Sequence, residues 1–178
     1  MNIFNKNNEA RLIKNAINNP NEFRYLYELY FEKIYKFIVW RVRTKEDAED
    51  LTSQTFLKAL DKLETFNFKK NNSLNSWIFK IAHNLIVDFY RGDNRNNDEI
   101  SVDVVPDDHT SSLEDEIAFN ELKKKIAQLP HNQAEVLILS VIHEMKNKEI
   151  AQILNIKERS VSSTLSRAKN NLKQLVTN

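Results

Sequence analysis

The sequence predicts an all-α chain, in which two small helical domains are joined by a flexible acidic linker and the C-terminal one holds a helix-turn-helix. Three observations carry this. One glycine, Gly92, and three prolines in 178 residues are too few turn formers for the tight turns of an all-β fold. Apolar residues recur at three- and four-residue spacing on both sides of a break, the period of helices with one buried face. The break, Asp93 to Glu116, carries nine acids against the single base Arg95, with Pro106 inside it, and reads as solvated linker. The division is 1–93, linker 94–112, and 113–178.

In the first domain, Pro20 and Asn21 open a helix whose apolar side is Phe23, Leu26, Tyr27, Tyr30, Ile34, Phe37 and Ile38. The next helix, KEDAEDLTSQTFLKALDKL, places Glu46, Asp47, Glu49 and Asp50 at its N-terminal end, where the dipole favours anions. Leu51, Phe56, Ala59, Leu60 and Leu63 form its buried side. From Thr65 to Asn75, TFNFKKNNSLN has no periodicity; it is expected to be a polar loop longer than a minimal helix connection, of the kind that often carries function. SWIFKIAHNLIVDFYRGDNR resumes the helix, with Ile78, Ile81, Ala82, Leu85 and Phe89 on one side and Lys80, Asn84, Val87 and Arg91 on the other. Gly92 is where a left-handed cap would close it. The aromatic rings of these helices are expected in the core, with Trp77 the exception because it borders the loop.

After the linker, Leu113, Ile117, Leu122 and Ile126 mark a helix ending near Leu129, with Lys123 to Lys125 on a solvated face. Pro130 suits the first turn of the next, which runs through Ala134, Leu137, Ile138, Val141 and Ile142. NKEIAQILNIKERSVSSTLSRAK then reads as two short helices and a bend. Ile150, Ala151, Ile153 and Leu154 are the buried side of the first, and Asn155 sits where a left-handed residue is required. In the second, Val161, Leu165, Ala168, Leu172 and Leu175 keep to one stripe, leaving Arg159, Ser162, Ser163, Ser166, Arg167, Asn170 and Lys173 outward. Hydroxyls and amides bond base edges, Arg bonds guanine in two places, and Lys neutralises phosphate, so this face suits a major-groove reader.

Other classes are weaker. Without cysteine no disulfide or thiolate metal site exists, which fits a reducing compartment such as the cytoplasm. The opening MNIFNKNNEARLIKNAINN lacks the apolar stretch of a signal peptide, and no run approaches the ~18 apolar residues of a membrane span. A net charge of +1 does not itself point to nucleic acid, so a local basic surface has to do so. HEMKN at His143 opens like H-E-x-x-H, but position 147 is Asn, and His83, His109 and His131 make no ligand spacing with it. No metal, cofactor, small-molecule substrate or catalysis is expected.

The second half resembles the promoter-recognition domain of bacterial sigma factors of the extracytoplasmic function (ECF) group, through LPHNQAEVLIL, NKEIAQILNI and SVSSTLSRAKNNLKQL. The first half matches independently: DAEDLTSQTFLKAL is similar to the family's core-polymerase-binding helix, and SWIFKIAHNLIVDFYR to its promoter-melting helix. The resemblance spans about Phe23 to Leu175. It implies a factor that joins core RNA polymerase, directs it to a promoter and helps open the duplex, usually under the control of an anti-sigma factor.

The resemblance also implies residue roles. For the −35 element, Ser162, Ser163, Ser166 and Arg167 would reach bases, with Arg159, Lys169 and Lys173 on phosphate. For the −10 element, the loop from Lys69 through Asn71, Asn72 and Ser73 to Asn75 would capture a flipped base, beside Trp77, Lys80, Asn84, Asp88 and Arg91. Asp47, Glu49, Asp50, Leu51, Gln54 and Phe56 would meet the coiled-coil clamp of the polymerase large subunit. Ser162 stands where the family frequently has a basic residue, and RGDNRNN is less basic than the usual end of the melting helix. The alternative is a stand-alone helix-turn-helix regulator, which would bind a two-fold site as a dimer and leaves the first half idle.

Overall fold

The computed structural model describes residues 6–67, 73–92 and 113–177. Among them are eight α-helices: α1 (Lys6–Asn18), α2 (Phe23–Val39), α3 (Lys45–Lys62), α4 (Leu74–Gly92), α5 (Leu113–Ala127), α6 (His131–Leu137), α7 (Asn147–Leu154) and α8 (Glu158–Thr177). The linker, together with Lys69, Asn71 and Asn72, lies outside the described residues.

Helix α1 was not read from the sequence. Ile13 and Ala16, three residues apart, are buried, and the Tyr30 hydroxyl of α2 donates to Glu9 Oε1 at 3.0 Å. Pro20–Glu22 forms a 3-10 turn capped by Asn19, so α2 begins at Phe23. Leu26, Ile34, Phe37 and Ile38 are almost fully buried, whereas Tyr27 is exposed. Thr44 starts α3 by accepting from the Asp47 N–H at 3.1 Å. The core then reaches across α3 through Ala48, Leu51 and Ala59 to Leu74, Ile78, Phe79 and Ala82 of α4. Thr52 and Thr55 enter that interior because their hydroxyls bond back to Ala48 O (2.6 Å) and Leu51 O (2.7 Å).

Several expected positions move. Leu74 and Asn75 are already helical, so the described end of the polar segment is Ser73. Gly92 is the last residue of α4 and does not take a positive φ. Ile117, Leu122 and Val141 are exposed. Lys123 is 3% exposed; burial pushes its ammonium down to about 8, and it donates to Val42 O at 3.3 Å. After α6 the chain widens into a π-helical turn, Ile138–Ile142, which leaves Glu144 left-handed at φ 51°.

In the C-terminal half α5, α6 and α7 each pack on α8, around Val136, Leu139, Ile150, Ile153, Val161 and Ala168. The two halves also meet. Helix α7 lies on α4, and the buried residues of both halves make one continuous cluster.

Candidate nucleic-acid interface

The hairpin of α7 and α8 is set by its bend. Asn155 takes φ 54°, ψ 44°, the left-handed region an Asn tolerates better than other side chains bar Gly. That lets the Ile156 N–H return to Ala151 O at 3.0 Å, closing the carbonyl end of α7. At the other end, the Glu149 carboxylate accepts from the Lys146 N–H at 3.3 Å. Val161, Thr164 and Ala168 are buried on the inner side of α8, with Leu165, Leu172 and Leu175 half-buried.

All seven residues expected to read the −35 element are exposed: Arg159, Ser162, Ser163, Ser166, Arg167, Lys169 and Lys173. Two of the hydroxyls already have partners: Ser162 Oγ accepts from Asn147 Nδ2 at 2.9 Å, and Ser163 Oγ donates to Ser160 O at 3.1 Å. Arg167 Nε donates to Ser163 O at 3.3 Å, laying the guanidinium along the helix one turn back. Asn147 is the residue that sequence reasoning passed over here, seen only as a missing zinc ligand. The helical spacing a zinc motif needs is interrupted by Glu144, and the His143 ring stands edge-on between Phe37 and Phe79 at 5.7 and 5.1 Å.

The residues expected to serve the −10 element divide. Asn84, Asp88 and Arg91 are exposed, and at this spacing share one face of α4, with Lys80 half-buried a turn before. Ser73 is the N-cap of α4: its Oγ accepts from the Ser76 N–H at 3.1 Å and donates to Glu149 Oε1 of α7 at 3.0 Å. Asn75 Oδ1 is buried with no donor among the described residues. Trp77 is buried and packs edge-on against Phe66, centroids 5.2 Å apart; it is a core residue, not the exposed ring expected beside the loop.

The residues expected to meet polymerase divide as well. Glu49, Asp50 and Gln54 are exposed and Asp47 half-buried; Gln54 Nε2 donates to Asp50 Oδ2 at 2.7 Å. Leu51 and Phe56 are buried at 2% and 4% exposure, because the inner stripe of α3 takes them into the core. Leu57, at 63% exposure, follows Asp50 and Gln54 by seven and three residues and so shares their face. That spacing was the available signal. Beside it Tyr27 and Phe31, both exposed, pack on the Phe56 ring at 4.7 and 6.4 Å.

A buried polar cluster lies where the halves meet. Glu135 of α6 is paired through Oε1 with Arg41 Nη1, and the same oxygen lies 3.1 Å from His83 Nδ1 of α4, an ion pair when that ring is protonated. Exposed His131 approaches Oε2 at 3.7 Å. Burial alone would raise the Glu135 carboxyl, but the adjoining His83 ring and the Arg41 charge outweigh it and hold it near 2. Burial lowers the Arg41 guanidinium from its ordinary value against the pull of Glu135. The guanidinium also lies 4.3 Å over the Phe37 ring. Burial, and then the charges of Arg41, Lys33 and Lys36, push His143 down to about 4.

Two family models match: Sigma-70 region 2 over residues 26–96 and Sigma-70 region 4 over residues 119–172. The RNA polymerase sigma factor YlaC of Bacillus subtilis is 30% identical over 158 residues, covering 85% of this chain and 90% of that one. The ECF RNA polymerase sigma factor SigM of the same organism is 29% identical over 154 residues, covering 84% and 92%. Among solved structures, the sigma factor RpoE in complex with the anti-sigma factor NepR, from Bartonella quintana, superposes at a TM-score of 0.73 with 23% identity, covering 88% of this chain and 97% of that one. CnrH in complex with the cytosolic domain of CnrY also reaches 0.73, with 20% identity over 93% and 95%. The two structures speak for the fold alone; the sequence matches, covering both halves in order, place this chain in the RNA polymerase sigma factor family, in its ECF group.

Proposed function

We propose that this chain is the promoter-specificity factor of a bacterial RNA polymerase, joining core enzyme, directing it to a promoter and helping to open the −10 region. The observation that carries the reading is the ordered pair of regions: a region 2 match over 26–96 and a region 4 match over 119–172 in one chain. A stand-alone dimeric regulator needs only the second. The chain acts by binding rather than by catalysis. No helix among the described residues is long and apolar enough to cross a membrane, and the polymerase it serves is cytoplasmic.

The division of labour follows the exposed chemistry. Residues 1–93 take polymerase through Glu49, Asp50, Gln54 and the apolar Leu57, and take the −10 strand along Lys80, Asn84, Asp88 and Arg91, beside the segment holding Lys69, Asn71 and Asn72. Residues 113–178 read the −35 element through Ser162, Ser163, Ser166 and Arg167, with Arg159, Lys169 and Lys173 on phosphate; residues 94–112 tether the two. An anti-sigma factor is a fitting regulator, since RpoE is seen with one.

The test is run-off transcription with purified core polymerase over a promoter library. Protein-dependent initiation is expected. DNA binding as a two-fold dimer, with no core complex, would overturn the reading in favour of the stand-alone regulator.

A further inference from the structure

Two neighbouring hydroxyls on the outward face of α8 are held in opposite senses. Ser162 and Ser163 lie in the first turns of the helix, the end that a helix-turn-helix presents to base edges, and both are exposed. Ser162 Oγ accepts from Asn147 Nδ2 of α7 at 2.9 Å; no acceptor for its own proton is seen among the described residues. Ser163 Oγ does the reverse, donating to Ser160 O one turn back at 3.1 Å. A serine hydroxyl has one proton and two lone pairs, so each bond decides what is left to offer. The amide N–H takes a lone pair of Ser162 and turns the proton away from α7, outward. At Ser163 the proton is spent on the backbone, and lone pairs remain to face outward.

The bend places Asn147 for this. It is the first residue of α7, and left-handed Asn155 folds α7 back. A half-buried side chain 15 residues earlier in sequence therefore lies against the start of α8.

Base edges in the major groove divide along the same line. The hydrogen-bonding atoms of G (N7 and O6) and of T (O4) are acceptors only, whereas A and C each carry an amino donor, N6 or N4. A hydroxyl free to turn could serve either class. A fixed one facing its own kind loses a bond that it had in water.

We propose that Asn147 is a positioning residue for −35 discrimination: by donating to Ser162 Oγ it makes Ser162 a donor that selects G or T, beside Ser163, an acceptor that selects A or C. The proposal rests on the sigma reading above. It gives Asn147 a part in base choice without a base contact of its own. Fixing both hydroxyls before DNA arrives also spares part of the ordering cost of binding.

The test uses polymerase holoenzyme and the promoter that the run-off assay recovers, randomised across its −35 element, sorted by binding and sequenced. Ser162→Ala flattens one position, which identifies the base that Ser162 meets. In the wild type that position is expected to favour G or T about threefold to tenfold. Asn147→Asp replaces the amide donor by a carboxylate, which accepts the Ser162 proton and turns the oxygen's lone pairs outward. The preference is then expected to reverse to A or C, changing the ratio by about tenfold. The added charge weakens every sequence alike and cancels in that ratio. Asn147→Ala frees the hydroxyl and should bring the ratio towards one, and Asn147→Asp/Ser162→Ala should show no reversal.

Wild-type base choice retained in Asn147→Asp or in Asn147→Ala, with only affinity or melting temperature lowered, would make the bond a brace for the hairpin. That result overturns the proposal and leaves the sigma reading standing. A wild-type preference for A or C at the Ser162 position overturns it too. If the wild type recovers no promoter with a cognate core, the sigma reading fails and this proposal with it.

Discussion

The α7–α8 hairpin and the seam between α4 and α6–α7 are built from opposite kinds of information. Everything that shapes the hairpin lies within about thirty residues of sequence: an apolar stripe at helical period, a left-handed Asn155, and an outward row of hydroxyls and cations. The seam depends on Arg41, His83 and Glu135, brought together by tertiary packing alone. The first is a surface prepared to meet a partner; in the second, polar side chains take one another as partners. The exposed face of α8 can therefore be read from sequence, while the contact between the halves is made by residues that no local pattern marks.

The sharpest break in that contrast comes from Arg41→Ala. It leaves the Glu135 carboxylate buried with the imidazoles of His83 and His131 beside it, and removing one member of a buried pair typically costs about 3–5 kcal/mol. Urea unfolding is expected to show a loss of that order. A loss below about 1 kcal/mol would mean that the seam contributes no more than an exposed ion pair does.

Acid probes the same region without mutation. Glu135 has its carboxyl depressed from 4.5 to about 2, so its contribution is complete above pH 4.5 and is lost as pH falls from 4.5 towards 2. His143 is depressed from 6.5 to about 4; the unfolded chain binds that proton first, so stability also falls as pH drops from 6.5 to 4. Both act in the same direction, on the order of 3 kcal/mol each. Stability should decline from pH 6.5 downward, with His143→Phe removing the upper part of the decline and Glu135→Gln the lower. A profile flat from pH 6.5 to 4 would contradict the burial of His143.

Backbone conformation gives a smaller effect, confined to the hairpin and the turn before it. Asn155→Ala keeps a Cβ in the left-handed region but removes the short polar side chain that eases it there, and should cost about 1 kcal/mol, whereas Asn155→Gly should cost little. Glu144, also left-handed, gives the converse: Glu144→Gly should stabilise by roughly 1 kcal/mol in thermal unfolding.

These two left-handed residues show where legibility stopped. Asn155 was expected because it interrupts two apolar stripes; Glu144 was not, because its geometry follows from a π-helical turn whose wide bonding leaves no mark in the Ile138–Ile142 run. The same division holds for the site. The outward face of α8 and the positions Asn84 and Arg91 follow from helical period alone, while Asp88 was placed by the resemblance. Leu51 and Phe56 were read from helical period on the buried side of α3 and are inside, although the resemblance also assigned them to polymerase; Trp77, expected to be the exception to the core because it borders the loop, is inside as well, with Phe66 packed on its ring. Lys123 was expected to be solvated with Lys124 and Lys125; only the approach of the Val42 carbonyl makes its burial tolerable. Helix α1 had the apolar spacing of Ile13 and Ala16 but lay in a stretch read only for a signal sequence.

The least effect on stability, and the most specific on function, belongs to Arg167. Its side chain is exposed and bonds only Ser163 O of its own helix among the hydrogen bonds seen here, so Arg167→Ala should change unfolding free energy by less than about 0.5 kcal/mol. A bidentate contact to guanine is worth about 1–3 kcal/mol of base discrimination, so the same change should weaken discrimination among −35 sequences about tenfold to a hundredfold in competition binding by the polymerase holoenzyme. Lys173→Ala, if Lys173 meets phosphate, should instead weaken binding to all sequences alike and reduce its salt dependence. Loss of discrimination in the Lys173 variant with retention in the Arg167 variant would exchange the two roles.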